Sequence, residues 1–439
     1  MDFDRMPNHV FLKIVGHLAL KEQVRLGRVN GRFKKISEWA LSNVKEFNLT
    51  DEMFEKIESE SMKKIIQLVA RNVELIEYAK SGGWRNDYEA SLHERLVVLS
   101  KFPLPRLTKL SLAHNNDDSV FCNLLSNMPN LRHLDWRAGT TMFPNVMCQT
   151  LTTIDIKWCE SEILESMVAH CPNLRHLSLN SMCESVKPWE EAINEAVVKL
   201  PFIQELNLLW HHCDFKFDKL PNLRQVASLR SLELLNFKIT DTALELITAW
   251  LPQLERLKVD SARVTGDGIA RLSRLKHLHT LHLSLVSVSG HEDLDQGMRK
   301  VASSCNRLRR VDICDYAILS LATLKTFVLC CPELNVLTVV LVDGPDTIDE
   351  TVEFVKSLAD FPQENIEIGF LPTSRNLWTC AKVLKAINLV NDRADGRSIS
   401  FNCLGTEDID RDDWILEVIV ELTAKMISVI RNVFERIFY

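Results

Sequence analysis

Residues 107–112 read Leu107-Thr108-Lys109-Leu110-Ser111-Leu112, an L-x-x-L-x-L pattern that runs on to Asn115. The spacing returns at Leu131/Leu134/Trp136, Leu151/Ile154/Ile156, Leu174/Leu177/Leu179, Ile203/Leu206/Leu208 and Leu229/Leu232/Leu234. It continues at Leu254/Leu257/Val259, Leu278/Leu281/Leu283, Leu308/Val311/Ile313 and Leu334/Leu337/Val339. Successive first positions lie 24, 20, 23, 29, 26, 25, 24, 30 and 26 residues apart. Self-similarity at a fixed period is the mark of a repeat architecture, so this spacing decides the fold. The last two apolar positions of each copy alternate with polar residues, which is the period of a strand with one face buried.

Working outward, Val44/Phe47/Leu49 and Val73/Ile76/Tyr78 keep the same internal spacing and extend the array toward the N-terminus. Ile366/Ile368 predicts an irregular last repeat, and Ile399/Phe401 one more strand. Between the strands, 53–70, 241–250, 267–275, 295–304 and 350–359 have helical periodicity. Several of these segments begin with Asp or Thr, which cap a first turn by accepting a backbone N–H. Cys171-Pro172 and Cys331-Pro332 close helices, because proline cannot continue one. One strand and one helix per repeat stack as a curved solenoid with the strands on its inner wall.

This array resembles the cysteine-containing leucine-rich repeats of F-box proteins, of which 170–179, His-Cys-Pro-Asn-Leu-Arg-His-Leu-Ser-Leu, is a close instance. Repeats of this kind specify a fold more than a function. The function is carried by residues 6–36, MPNHVFLKIVGHLALKEQVRLGRVNGRFKKI. Apolar residues recur there at Val10, Ile14 and Leu18, then at Val24, Leu26 and Val29. Helices this short in roughly 40 residues do not close a stable core alone, so a neighbouring protein surface is expected.

The segment resembles an F-box without a gap. Met6-Pro7 stands at the opening Leu-Pro, followed in register by Leu12-Lys13-Ile14, Leu18-Ala19-Leu20-Lys21, Arg25-Leu26, Val29 and Arg32. His9 replaces a usual acidic residue, Asn30 a usual cysteine and Phe33 a usual tryptophan; His9 is expected to weaken the cap of the first helix. The resemblance implies docking on the Skp-type adaptor, and through it a cullin, with Pro7, Val10, Ile14, Leu18, Leu26 and Val29 as contacts. From residue 6 to 48 there are eight Lys/Arg and three Glu, in a chain whose net charge is −7. A basic apolar module suits an acidic partner, mainly through encounter rate and specificity.

The implied architecture is an α/β solenoid: an N-terminal helical F-box (1–48), a leucine-rich-repeat horseshoe (49–372), and an irregular last repeat with a C-terminal capping helix (373–439). That tail carries an apolar stripe of Ile415, Ile419, Leu422, Met426, Ile430, Val433 and Ile437. It is read as an end cap, because terminal repeats expose an apolar face. The acidic stretch 407–413 before it disfavours anionic lipid.

Composition narrows the function classes. Apolar residues are 46% and charged residues 25%, the balance of a folded protein. The acidic net charge disfavours sequence-independent nucleic-acid binding. No apolar run reaches the ~18 residues of a membrane span. The first residues lack a basic region followed by an apolar run, so no secretory signal is expected. The twelve cysteines, from Cys122 to Cys403 with no C-x-x-C pair, then read as reduced and buried in the cytosol or nucleus. No H-E-x-x-H, G-x-S-x-G or glycine-rich phosphate loop is present, so neither catalytic residues nor a cofactor are expected. His277-x-His279-x-x-His282 is read as no metal site, with His282 facing the wall and His279 sharing the parity of the buried residues.

Target binding is expected on the inner wall near the middle repeats. Where Leu206 and Leu208 point inward, Glu205, Asn207 and Leu209 point out, with Ser231, Glu233 and Leu235 next and Arg256, Lys258 and Asp260 after them. The site so defined comprises Glu205, Asn207, Leu209, Trp210, Glu233, Leu235, Arg256 and Lys258. Leu209, Leu235 and Trp210 form either an exposed apolar spot ringed by charge or residues covered by long neighbours.

Overall fold

The repeats settle into strand–helix units because each L-x-x-L-x-L copy hides two alternate side chains under its strand and needs the next copy to finish the burial. In the computed structural model the described residues are 7–49, 59–77, 94–112, 118–137, 143, 146–157, 160–182, 189–210, 217–288, 291–315, 319–341, 352–353, 356, 365–372 and 398–403. The predicted tail helix and most of 350–359 lie outside them. The chain divides into one unit of residues 1–211 with 219–229 and a second of 212–218 with 230–439.

The first unit opens with three helices: α1 (Asn8–Gly16), α2 (Leu20–Leu26) and α3 (Gly31–Ser42). Seven parallel strands follow in chain order: β1 (Glu46–Asn48), β2 (Leu75–Glu77), β3 (Lys109–Leu112), β4 (His133–Arg137), β5 (Thr153–Lys157), β6 (His176–Met182) and β7 (Glu205–Trp210). The helices between them include α4 (Ser59–Val69), α5 (Asp118–Ser126), α6 (Ser161–His170) and α7 (Trp189–Val198). Register aligns Phe47, Ile76, Leu110, Leu134, Ile154, Leu177 and Leu206 in one buried row. Trp136 takes a leucine position and is buried against Phe121 and Phe143, with ring centroids 4.8 and 5.9 Å away.

The second unit holds seven more parallel strands in chain order. They are β8 (Ser231–Leu235), β9 (Arg256–Val264), β10 (Thr280–Val288), β11 (Arg310–Asp315), β12 (Val336–Leu341), β13 (Asn365–Pro372) and β14 (Ser398–Cys403). The last two are the strands predicted around Ile366/Ile368 and Ile399/Phe401. The intervening helices include α8 (Asp241–Trp250), α9 (Gly266–Arg271), α10 (His291–Ser304) and α11 (Leu321–Cys330). Leu232, Leu257, Leu281, Val311 and Leu337 form one fully buried row, and Leu234, Val259, Leu283 and Ile313 form the next.

Successive helices of this unit are tied by a recurring cap. Thr265 caps α9 by accepting from the Gly268 N–H at 3.2 Å. Its own N–H and hydroxyl donate to the Asp241 carboxylate at 2.8 and 2.7 Å. Two helices on, Ser320 caps α11, and Asp295 of α10 accepts from the Ser320 N–H at 2.8 Å and from the hydroxyls of Ser320 and Thr323 at 2.7 and 2.6 Å. A side chain at position 268 would collide with the Asp241 carboxylate, which explains the glycine there.

The buried cysteines link repeats as weak donors. The Cys305 thiol reaches the Leu275 carbonyl at 3.4 Å, and the Cys331 thiol reaches the Cys305 carbonyl at 3.6 Å. Burial pushes these thiols up to about 11 and about 12.

Candidate functional site

The N-terminal module is built on the third helix. Asn30 caps α3 by accepting from the Phe33 N–H at 2.9 Å, so the residue that departs from the resembled pattern still has a structural use. In α2 the Glu22 carboxylate accepts from the Ala19 N–H at 3.1 Å. The Ser37 hydroxyl donates to the Gln23 carbonyl at 2.6 Å, tying α3 to α2, and Arg32 donates to the Asn8 side chain at 3.0 Å, tying α3 to α1. The first helix has neither a side-chain cap nor an acidic residue in its first turn, in line with His9 at that position.

Phe11, Val15, Ile36 and Ala40 form a small buried core, with Leu12, Leu18, Leu26 and Phe33 packed on it. Phe11 and Phe33 have ring centroids 5.1 Å apart. The three helices thus share a small cluster of four buried side chains. Leu18 and Leu26 serve that core and are only partly accessible. Val10, Ile14 and Val29 are 37%, 42% and 63% exposed, and Pro7 is exposed as well. Four of the six predicted contacts thus lie on the outside, while Phe11 and Val15, which face inward, escaped the periodicity reading. Nearby, a cavity of about 500 Å³ is lined by Leu12, Leu20, Gln23 and Trp39 among others. Trp39 is 45% exposed, and the buried Gln23 Oε1 has no hydrogen-bond partner among the described residues.

The predicted wall residues fall in both units. In the first, alternation holds: Leu206 and Leu208 are buried, and Glu205, Asn207 and Leu209 are half-buried. Glu205 sits 3.0 Å from His176 Nδ1, and the Asn207 Oδ1 is buried without a partner among the described residues. Trp210 lies edge-on to the buried Trp189 at 6.0 Å, so with Leu209 it is half-covered and not an exposed spot. On the same face, burial and the nearby Asp135 push the Asp155 carboxyl up, partly offset by Lys157 and Ser178.

In the second unit Glu233 lies directly opposite Lys258 across β8 and β9, and both are half-buried. Leu235 is also half-buried, Arg256 is exposed, and Ser231 is buried, against its expected outward position. The row continues through His282, Asp312 and Thr338. Burial pushes the Asp312 carboxyl up, but hydrogen bonds from His282, Arg310 and Thr338 together with the Arg310 charge hold it at about 2.

The three histidines do not converge, and no group of three or more potential metal ligands exists among the described residues. His282 Nδ1 lies 3.8 Å from Asp312, on the wall. His279 is half-buried and 3.9 Å from Glu255, against the parity reading, because strand alternation begins only at Thr280. No helix among the described residues is long and apolar enough to cross a membrane.

No protein-family model and no curated protein matches the chain. Solved structures do. An internalin from Listeria monocytogenes matches at 16% identity over 70% of this chain and 92% of that one, with a TM-score of 0.41. A chain from the yeast Rad7–Elc1 complex matches at 16% identity over 84% of this chain and 89% of that one, with a TM-score of 0.49.

Proposed function

We propose that this chain is the substrate-recognition subunit of an SCF-type cullin–RING ubiquitin ligase and carries no catalytic site of its own. The module 1–48 acts as an F-box that docks on a Skp-type adaptor, and the repeats hold a protein target. The observation that carries this reading is the exposure of Val10, Ile14 and Val29 while Phe11, Val15, Ile36 and Ala40 are buried together. Apolar side chains held out on α1 and in the turn between α2 and α3 are suited to a partner's groove. Catalysis in such an assembly is by proximity: the target's lysines are held at high effective concentration near a thioester on another subunit.

The rival reading within the same class is an adaptor-bound leucine-rich-repeat scaffold that binds proteins without marking them for degradation. The deciding experiment combines capture and reconstitution. Proteins captured by the full chain, with proteasome and cullin activation blocked, are added to a ligase rebuilt from the adaptor, cullin, RING subunit and conjugating enzyme. Ubiquitylation of captured proteins that requires residues 1–48 supports the receptor. Adaptor binding without ubiquitylation supports the scaffold, and no adaptor binding at all removes both.

A further inference from the structure

The turns that lead into β4, β5, β6 and β7 bring a second, unrelated chemistry together in the first unit. A cavity of about 460 Å³ is lined by Arg132, His133, Gln149, Asn173, Arg175 and Phe202, with two threonines completing it. That volume is in the range of a small-molecule site, with room for an anion and an organic group attached to it. None of its eight lining residues is acidic, in a chain of net charge −7. Both arginines are exposed, and neither has an ion-pair partner among the described residues. On β7, Glu205 lies 3.0 Å from His176 Nδ1. The Asn173 amide donates to the Gln149 carbonyl at 2.8 Å, which steadies the floor of the cavity. Phe202 is 54% exposed at its edge.

We infer that this cavity binds a phosphomonoester dianion, with Arg132 and Arg175 on its oxygens and Phe202 against its organic group. Guanidinium groups match phosphate geometry through paired donors. A nucleic-acid backbone, by contrast, needs a long track of cations, which two arginines do not provide. Burial first, and then the charges of Lys109, His176 and Arg132, hold the His133 imidazole below its usual range.

The test is a ligand-observed NMR titration of the full chain with phenyl phosphate, and separately with inorganic phosphate. Phenyl phosphate should bind saturably and more tightly than inorganic phosphate. The double variant Arg132→Gln/Arg175→Gln, melting as wild type does, should lose roughly tenfold or more in affinity, as expected when charge-assisted bidentate bonds are removed. Arg132→Lys/Arg175→Lys should fall between the two. Undiminished binding to the glutamine variant overturns the site. Equal affinity for the two probes overturns the role of Phe202 and assigns the cavity to a free ion. An oligonucleotide that displaces phenyl phosphate at lower concentration overturns the monoester assignment. Adaptor binding is measured on the same variants and is expected to be unchanged, so this inference and the receptor reading can fail separately.

Discussion

The N-terminal module and the repeats of the second unit solve the same problem in opposite ways. In the repeats, whole rows of strand leucines, isoleucines and valines are fully buried, and the helices are tied to one another through Asp241 and Asp295. In the module, four side chains make the core while Val10, Ile14 and Val29 stay outside. Burying an aliphatic side chain contributes roughly 1.5–3 kcal/mol, so side chains left exposed forgo stabilisation that the repeats collect from β8 to β12. The difference teaches that exposure, more than hydrophobicity, separates a surface kept for a partner from one consumed by folding.

The largest effect that can break this comparison is in the repeats. Leu281→Ala, at a position with no exposed area, should destabilise the chain by about 3–4 kcal/mol in denaturant titration. A loss under ~1 kcal/mol would mean that the row is not closely packed. Next is the tie between helices: Asp295→Ala strands the Ser320 and Thr323 hydroxyls and should lower stability by about 2–3 kcal/mol. Asp312 gives an acid signature of similar or smaller size. Its carboxyl is depressed from 3.8 to about 2, so its contribution is complete above the unfolded value and is lost as pH falls through the folded one. Stability between pH ~4 and ~2 should fall by roughly 2 kcal/mol more in the wild type than in Asp312→Asn, read from melts across that range. The smallest effect belongs to the module, where Asn30→Ala removes a helix cap and should cost about 1 kcal/mol.

Much of this was legible in the sequence, for identifiable reasons. The helix 241–250 coincides with its predicted span, because Thr240 caps it and its apolar positions keep one period. The predicted helix 267–275 is shorter as an α-helix, ending at Arg271 and tightening into a 3-10 turn over Leu272–Arg274. The strands were readable because their parity is enforced by burial on one side. The candidate surfaces were read less well. In α1, Val10/Ile14 and Phe11/Val15 are adjacent stripes of the same helical spacing, and periodicity cannot say which one faces the core. The Trp210–Trp189 contact depends on a helix earlier in the chain, beyond the reach of strand parity. The cavity of Arg132 and Arg175 joins residues from successive turns that no short motif connects.

The most direct test of the central claim is adaptor affinity set beside stability for Val10→Asp/Ile14→Asp in the full chain. Both side chains are already exposed, so the melting temperature should stay within experimental error of the wild type. Burying two carboxylates in an apolar partner groove should weaken adaptor binding by orders of magnitude. Retained adaptor binding by a variant that melts like the wild type would contradict the account.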